Sequence, residues 1–375
     1  MEGTVAAGGG EEERPPPKGG GDPHRLRGDR VSQGDPPLPV RAGRVNPLLG
    51  KAGGRGMTGI LRGRSGVALL VTLLILVLIV SLVWEIFRTG ARAAQTGAYG
   101  RDSIRTELVA EAGIAAARIA LREDAKNNSH DTLDEVWSRP VPPIELGEGT
   151  ILVSVEDEER KFNINRLVLP NGNAPDDQRL AVFRRLLEIL EVDPSVADAV
   201  VDWLDNDDSP RVGGAESAYY QSLPYPYKAK NDLFDTVEEL RLVRGITPAV
   251  FGKILPFVTV HSSGNVNLNT APKQILMSLS AGQDAADAGE IGESAADEIL
   301  VYRKEHPFRK VEEIGNVSSS LSDLYKRTRF RDLITVQGTA FHIRSTGELA
   351  GTVRTIDAVG IRAGNAIQWR YWRLE

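Results

Sequence analysis

The densest set of groups able to do chemistry lies in Val201-Asp-Trp-Leu-Asp-Asn-Asp-Asp-Ser-Pro-Arg-Val-Gly-Gly-Ala-Glu-Ser-Ala-Tyr-Tyr220, which carries Asp202, Asp205, Asp207, Asp208 and Glu216. Asp202 and Asp205 share a helical face by their i, i+3 spacing. Carboxylates crowded in this way repel one another unless a cation lies among them, and an all-oxygen donor set suits a hard ion such as Ca²⁺. The spacing is not that of an EF-hand, because no Gly and Glu fall at the loop positions that motif requires. A solvated loop with helix-capping acids accounts for the same residues, and the sequence leaves both readings open.

Other chemistry is sparse. The absence of cysteine excludes disulfides, thiolate catalysis and cysteine-ligated zinc. No phosphate-cradling Gly-rich loop, zinc motif or Gly-x-Ser-x-Gly elbow is present. The five histidines are scattered without an evident acid or nucleophile partner, and His342 reads as an ordinary strand residue. No catalysis is expected.

A net charge of -6 argues against nucleic acid as the main partner, since phosphate binding needs a basic face. Two segments nevertheless look like helix-hairpin-helix units. In Val237-Glu-Glu-Leu-Arg-Leu-Val-Arg-Gly-Ile-Thr-Pro248, Gly245 allows the turn, Thr247 can cap the next helix and Pro248 fits its first position. Asn265–Pro272, Ala296–Arg303, His306-Pro-Phe308 and Val311–Ile314 repeat the theme. Arg241 and Arg244 could reach phosphate beside the first, whereas Asp284, Asp287, Glu290 and Glu293 would repel it beside the second. Packing modules are the expectation here, and a membrane-tethered helix-hairpin-helix DNA-binding receptor is the competing function.

The elements that must position these groups follow from pattern. Residues 1–56 cycle through Gly, Pro, Arg and Asp with almost no apolar periodicity, so no core can form there; the segment is a disordered cytoplasmic tail, or Met57 is the true start. Val67–Trp84 is an uncharged apolar run close to the ~20 residues that cross a bilayer as a helix. Arg62 and Arg64 precede it and Trp84 lies at its far boundary, which places the N-terminus inside, although Arg88 and Arg92 follow closely. Beyond it Ile104, Leu108, Ala112, Ala115 and Ile119 recur at helical spacing and predict the face that packs on a soluble head, with a kink or fray at Gly90, Gly97 and Gly100. Alternation from Thr150 predicts a strand through Val155, and residues 176–330 read as mostly helical. Ala340–Thr346, Thr352–Arg362 and Ala366–Arg373 read as three strands joined by short turns.

The predicted divisions are therefore 1–66 leader or disordered segment, 67–88 transmembrane helix, 89–175 helix and first strands, 176–330 inserted helical domain and 331–375 final strands. The fold class is α+β: a long N-terminal helix plus a small antiparallel sheet, with a large all-helical insert.

Arg62-Gly-Arg-Ser-Gly66 followed by Val67 and the apolar run resembles a prepilin leader, whose peptidase cuts after glycine at the cytoplasmic face. An uncleaved anchor and a signal peptide ending near Ala91-Arg-Ala93 are the alternatives, the second weakened by the long run and by Glu85, Phe87 and Arg88 before the site. Pilin-like subunits usually carry glutamate as the fifth mature residue; here that position is Val71. Its absence, with Asp-Trp-Leu-Asp, the following Gly-Ala-Glu-x-x-Tyr-Tyr, and Asn267-Leu-Asn-Thr270, makes the chain similar to the minor pseudopilin K family of type II secretion over essentially all of Arg62–Glu375.

The resemblance implies a pilin-like head with a helical insert. It implies cleavage at Gly66 and N-methylation of Val67, with insertion in the bacterial inner membrane and a periplasmic C-terminal domain. It implies assembly with minor pseudopilins I and J at the tip of the pseudopilus, and contact with the major pseudopilin, the inner-membrane secretion platform and the prepilin peptidase. It also implies structural Ca²⁺ in the insert, with Asp205, Asp207 and Glu216 as ligands and Asp202, Asp208 and Asn231 as further candidates.

Overall fold

The computed structural model describes residues 64–172, 174–280, 289–364 and 366–375. Residues 1–63, where the leader is predicted and Met57 lies, and the acids Asp284 and Asp287 lie outside the described residues. The chain divides into two compact units, residues 1–74 and 75–375. In the first, the described residues are helical, and residues 66–74 are exposed. They open α1 (Arg64–Asn127), the one described helix long and apolar enough to cross a membrane, with a mean hydropathy of 3.1 over its most apolar 18 residues. Leu78 and Phe87 are 65% and 71% exposed, as side chains meant for lipid would be. Gly90, Gly97 and Gly100 do not interrupt the helix, contrary to the fray expected from their propensity. Neighbouring Ala91, Ala93 and Ala94 are strong helix formers that offset the glycines.

In the second unit β1 (Ile144–Leu146) and β2 (Gly149–Asp157) precede two-residue β3 (Phe162–Asn163). A run of short helices follows: α2 (Asp177–Ile189), α3 (Val196–Leu204), α4 (Ser217–Gln221) and α5 (Pro248–Ile254). After β4 (Val258–Thr259) and β5 (Val266–Asn267) come α6 (Lys273–Ser278), α7 (Glu293–Glu305), α8 (Ser319–Tyr325) and α9 (Thr328–Arg331). The chain ends in β6 (Ile334–Thr335), β7 (Ala340–Leu349), β8 (Thr352–Ala363) and β9 (Ala366–Leu374). Five strands form one antiparallel sheet in the order β1-β2-β7-β8-β9. β3 pairs with β4 and β5 with β6, both in parallel. The hairpin segment folds as its residues dictate: Gly245 takes φ +85, Thr247 Oγ1 accepts the N–H of Val250 at 3.2 Å, and Pro248 opens α5.

One face of the sheet takes α1. Its contact face is Val109, Ala110, Gly113, Ile114, Ala117 and Leu121, packed on Ile151, Phe341, Ile343, Ile356 and Ala358. This corrects the predicted face: Ile104, Leu108 and Ile119 are 63%, 59% and 57% exposed. The reason is steric. The helix backbone lies so close to the sheet that only small residues fit at the centre: a Cβ on Gly113 would meet Ser345 Oγ at 2.1 Å, and one on Gly347 of β7 would meet Thr106 O at 2.6 Å. Ser345 Oγ donates to the carbonyl of Ala110 at 2.7 Å across this gap. Gly347→Val should therefore lift the helix and cost about 2–3 kcal/mol, read as a lowered urea midpoint with an unchanged m-value.

The helical block has its own core, with Phe162, Phe183, Leu187, Trp203, Tyr220 and Phe308 among its buried side chains. Phe162 stacks on Phe183 at 5.2 Å, and Trp203 meets Tyr220 edge-on at 5.2 Å. These aromatic contacts hold α3 and the segment after it, which is where the acids lie.

Candidate metal centre

α3 is buried along its whole length, Asp198 and Asp202 included. Asp198 is neutralised by Arg184 at 2.7 Å and Arg211 at 3.1 Å. Asp205 ends the helix as its C-cap, and Glu216 occupies the residue before α4, so the loop between folds back and brings two helix ends together. Gly214 permits the fold-back, since a Cβ there would lie 1.9 Å from Asp202 Oδ2.

The result places one carboxylate oxygen each from Asp205, Asp207 and Glu216 within 4.8 Å of one another. Two oxygens bound to one Ca²⁺ at 2.3–2.6 Å can be no further apart than roughly 5 Å, so this spacing suits a shared ion. Glu216 is 3% exposed and neither of its oxygens has a hydrogen-bond partner. Asp205 Oδ1, Asp202 Oδ1 and Asn231 Oδ1 are likewise buried without a donor. Asn231 takes the unusual φ of 49, its N–H donates to Trp203 O at 3.0 Å, and its Nδ2 donates to Asp207 O at 2.9 Å. Asp202 Oδ2 accepts the N–H of Arg211 at 3.1 Å, and Asp207 Oδ1 that of Ser209 at 2.7 Å. Asp208 is exposed and stands apart from the trio, lining the adjoining surface with Glu216 and Asn231.

Burial raises the proton affinity of these acids, and their neighbours' charges add to it. Asp202 and Asp205 are pushed up to about 6 and Glu216 to about 8, the last also by Asp202 and Asp205. Among the described residues, no Lys or Arg forms an ion pair with Asp202, Asp205, Asp207 or Glu216. Two other acid groups contrast with this. Glu156 and Glu158, near His342, share Lys161 at 2.6 and 2.7 Å, and Asp124 and Asp131, beside Glu135, share Arg362. Those groups carry their own cation; the trio does not. The buried, orphaned oxygens of Asp205, Glu216, Asp202 and Asn231, with the exposed Asp207 beside them and no cation among them, are what a hard metal ion would satisfy.

Sequence reasoning missed the Arg184 and Arg211 partners of Asp198; the Gly213-Gly214 pair was a readable sign of the fold-back. It also missed the partner of His342, whose Nε2 lies 3.1 Å from Asp357 on the next strand. Asp357 is held on both oxygens by Arg344 at 2.9 Å, which makes this a structural ion pair on the sheet. The arginines beside the first hairpin are engaged within the protein: Arg241 lies 4.2 Å from the Phe251 ring, and Arg244 donates to Gly214 O at 2.8 Å.

Comparison with known proteins agrees with this architecture. Residues 160–263 match the family model for type II secretion system (T2SS), protein K. Type II secretion system protein K of Pseudomonas aeruginosa is 33% identical over 235 residues, 58% of this chain and 68% of that protein. The Aeromonas hydrophila protein of the same description is 28% identical over 325 residues, 80% of this chain and 94% of its own length. One chain in the crystal structure of the GspK-GspI-GspJ complex from enterotoxigenic Escherichia coli superposes with a TM-score of 0.63 at 20% identity, over 74% of this chain and 98% of that one. An α1 packed on a five-stranded sheet, an acid-rich helical block and this sequence identity lead to one conclusion: the chain belongs to the type II secretion system protein K family.

Proposed function

We propose that this chain is a minor pseudopilin at the tip of the type II secretion pseudopilus, where it starts assembly with minor pseudopilins I and J and supports protein export across the outer membrane. It acts without catalysis. The prepilin peptidase cuts after Gly66, the new N-terminus at Val67 is methylated, and the apolar part of α1 stays in the inner membrane with the remainder in the periplasm. The major pseudopilin and the inner-membrane platform are met through the same helix. Nucleic acid is not a partner, a reading supported by the internal engagement of Arg241 and Arg244.

The observation that carries this reading is the set of large apolar side chains that α1 leaves exposed, interleaved with Glu111, Arg118 and Arg122. Ile104, Leu108 and Ile119 point away from the sheet on the helix that also holds the candidate span, as a rod that packs beside other rods requires. Val71 puts no carboxylate into lipid, so the rod needs no amine from a subunit ahead of it.

Export in a strain lacking its own K subunit tests the proposal. The wild-type chain should restore secretion, and Leu108→Glu should reduce it about tenfold or more while leaving the unfolding midpoint unchanged, since Leu108 is not in the core. Full export by Leu108→Glu would show that this face does not pack on partners.

Ca²⁺ is the proposed structural ion, with Asp205, Asp207, Glu216 and the Asn231 carbonyl as the groups that would hold it and Asp202 beside them. When bound it would tie the end of α3 to the start of α4 and neutralise the buried charge.

A further inference from the structure

The junction between the helical block and the sheet is built from acids that no motif announced. Asp157, Glu158 and Glu159 are consecutive and are 1%, 4% and 0% exposed. Each reaches a different segment. Asp157 Oδ2 accepts Asn267 Nδ2 at 2.9 Å and Thr270 Oγ1 at 2.6 Å, both from the block. Glu158 accepts the hydroxyl of Thr259 and pairs with Lys161 at 2.7 Å. Glu159 accepts the N–H groups of Ser263 at 3.0 Å, Thr339 at 2.9 Å and Ala340 at 3.0 Å, and the Thr339 hydroxyl. Asn267 Nδ2 also donates to Asp131 O at 3.1 Å, and Asp131 pairs with Arg362 at 3.0 Å.

The cations around this junction are spoken for. Lys161 serves Glu156 and Glu158, Arg160 serves Glu156, and Arg362 is divided between Asp131 and Asp124. Arg303 donates to the carbonyls of Leu268 and Ala271 at 2.8 and 2.7 Å, which fixes the Asn-Leu-Asn-Thr turn. His261 lies beside Glu158, and Glu135 beside Asp124 and Asp131. Among the described residues, no cation pairs with Asp157 or Glu159. Asp157 thus faces the block among neutral donors only, with the Glu159 N–H on its Oδ1 at 3.0 Å, and next to two further acids, Asp131 and Glu159. Its 2.6 Å contact with the Thr270 hydroxyl works in either direction: a protonated carboxyl donates, and the hydroxyl oxygen accepts.

We propose that this junction is a proton-operated latch, in which the helical block docks most tightly on the sheet when a proton is held between Asp157 and Thr270 and loosens when that proton is lost. Burial, followed by the charge of Glu159, raises Asp157 well above the usual carboxylate range, and burial likewise lifts Asp131 to about 6. A carboxyl whose proton affinity is higher in the docked form stabilises that form at low pH, and the contribution falls as pH rises through the raised value.

Hydrogen exchange on the full chain in detergent, with saturating Ca²⁺ at both pH values, tests the latch. Protection of the Ser263, Thr339 and Ala340 amides, each relative to its intrinsic rate, should be about tenfold higher at pH 5.5 than at pH 8.0, with amides of α2 changing less. Asp157→Asn, which cannot exchange the proton, should remove the difference. Equal protection at the two pH values overturns the proposal, as does an unchanged difference in Asp157→Asn. Should that variant not fold, the wild-type comparison decides: a change shared equally by α2 and the junction is global stability and overturns the latch.

Discussion

Adding Ca²⁺ to metal-free protein is expected to raise its thermal midpoint by about 5–10 °C at a hundredfold excess over Kd, the equivalent of about 2.7 kcal/mol. The rise comes from Asp205, Asp207 and Glu216, which stand within 4.8 Å of one another without a cation of their own. Glu216→Gln should abolish most of it, because it removes the charge of a side chain with two orphaned oxygens. The pH dependence has a definite sign. Asp202 and Asp205 are raised to about 6 and Glu216 to about 8, so metal-free protein gains from protonating them in the folded state. That contribution is complete below about pH 4 and is lost as pH climbs through 6 to 8. Ca²⁺ competes for the same oxygens, so its stabilisation should grow over that interval and shrink towards pH 5. Calorimetry with and without metal at pH 5, 6.5 and 8 reads both trends; a midpoint indifferent to Ca²⁺ at pH 8 would show that these acids hold no Ca²⁺.

Blocking the proposed leader cut is expected to have the largest effect in the cell. Gly66 lies at the start of α1 with nothing within 4 Å of where a Cβ would be, so Gly66→Val leaves the fold intact while obstructing a peptidase that needs a small residue. The intact mass should then keep the leader in place of beginning at a methylated Val67, and export should fall by tenfold or more. A mature chain beginning at Ala94 would instead identify a signal peptide and remove the anchor from the account.

Much of this architecture is legible in the residues. The three C-terminal strands fall where alternation put them, because two of their turns need only Ala350-Gly351 and Gly364 at positive φ. β1 escaped notice: three exposed residues after Pro142-Pro143 carry no periodic signal. The face of α1 was misread for a physical reason. Ile104, Leu108 and Ile119 are the larger side chains, yet Ala110, Gly113 and Ala117 are the ones that let a helix backbone meet a sheet. A helix with apolar residues on both its covered and its exposed side offers no periodicity to say which is covered within the chain. At the candidate metal centre the residue types suggested the ion, while the meeting of Asp205 with Glu216 depends on the turn at Gly213-Gly214. Asp157-Glu158-Glu159 carry no sequence signal of burial, since consecutive charges usually lie on the surface; their burial depends on donors arriving from residues 259–270 and 339–340, far along the sequence.

The measurement that bears most directly on the central claim is native mass spectrometry of the mature full chain in detergent with minor pseudopilins I and J. A single assembly holding one copy of each is expected, dissociated by Leu108→Glu. A chain that remains alone in that mixture, or that assembles with further copies of itself, would contradict the claim that it caps a bundle of such helices.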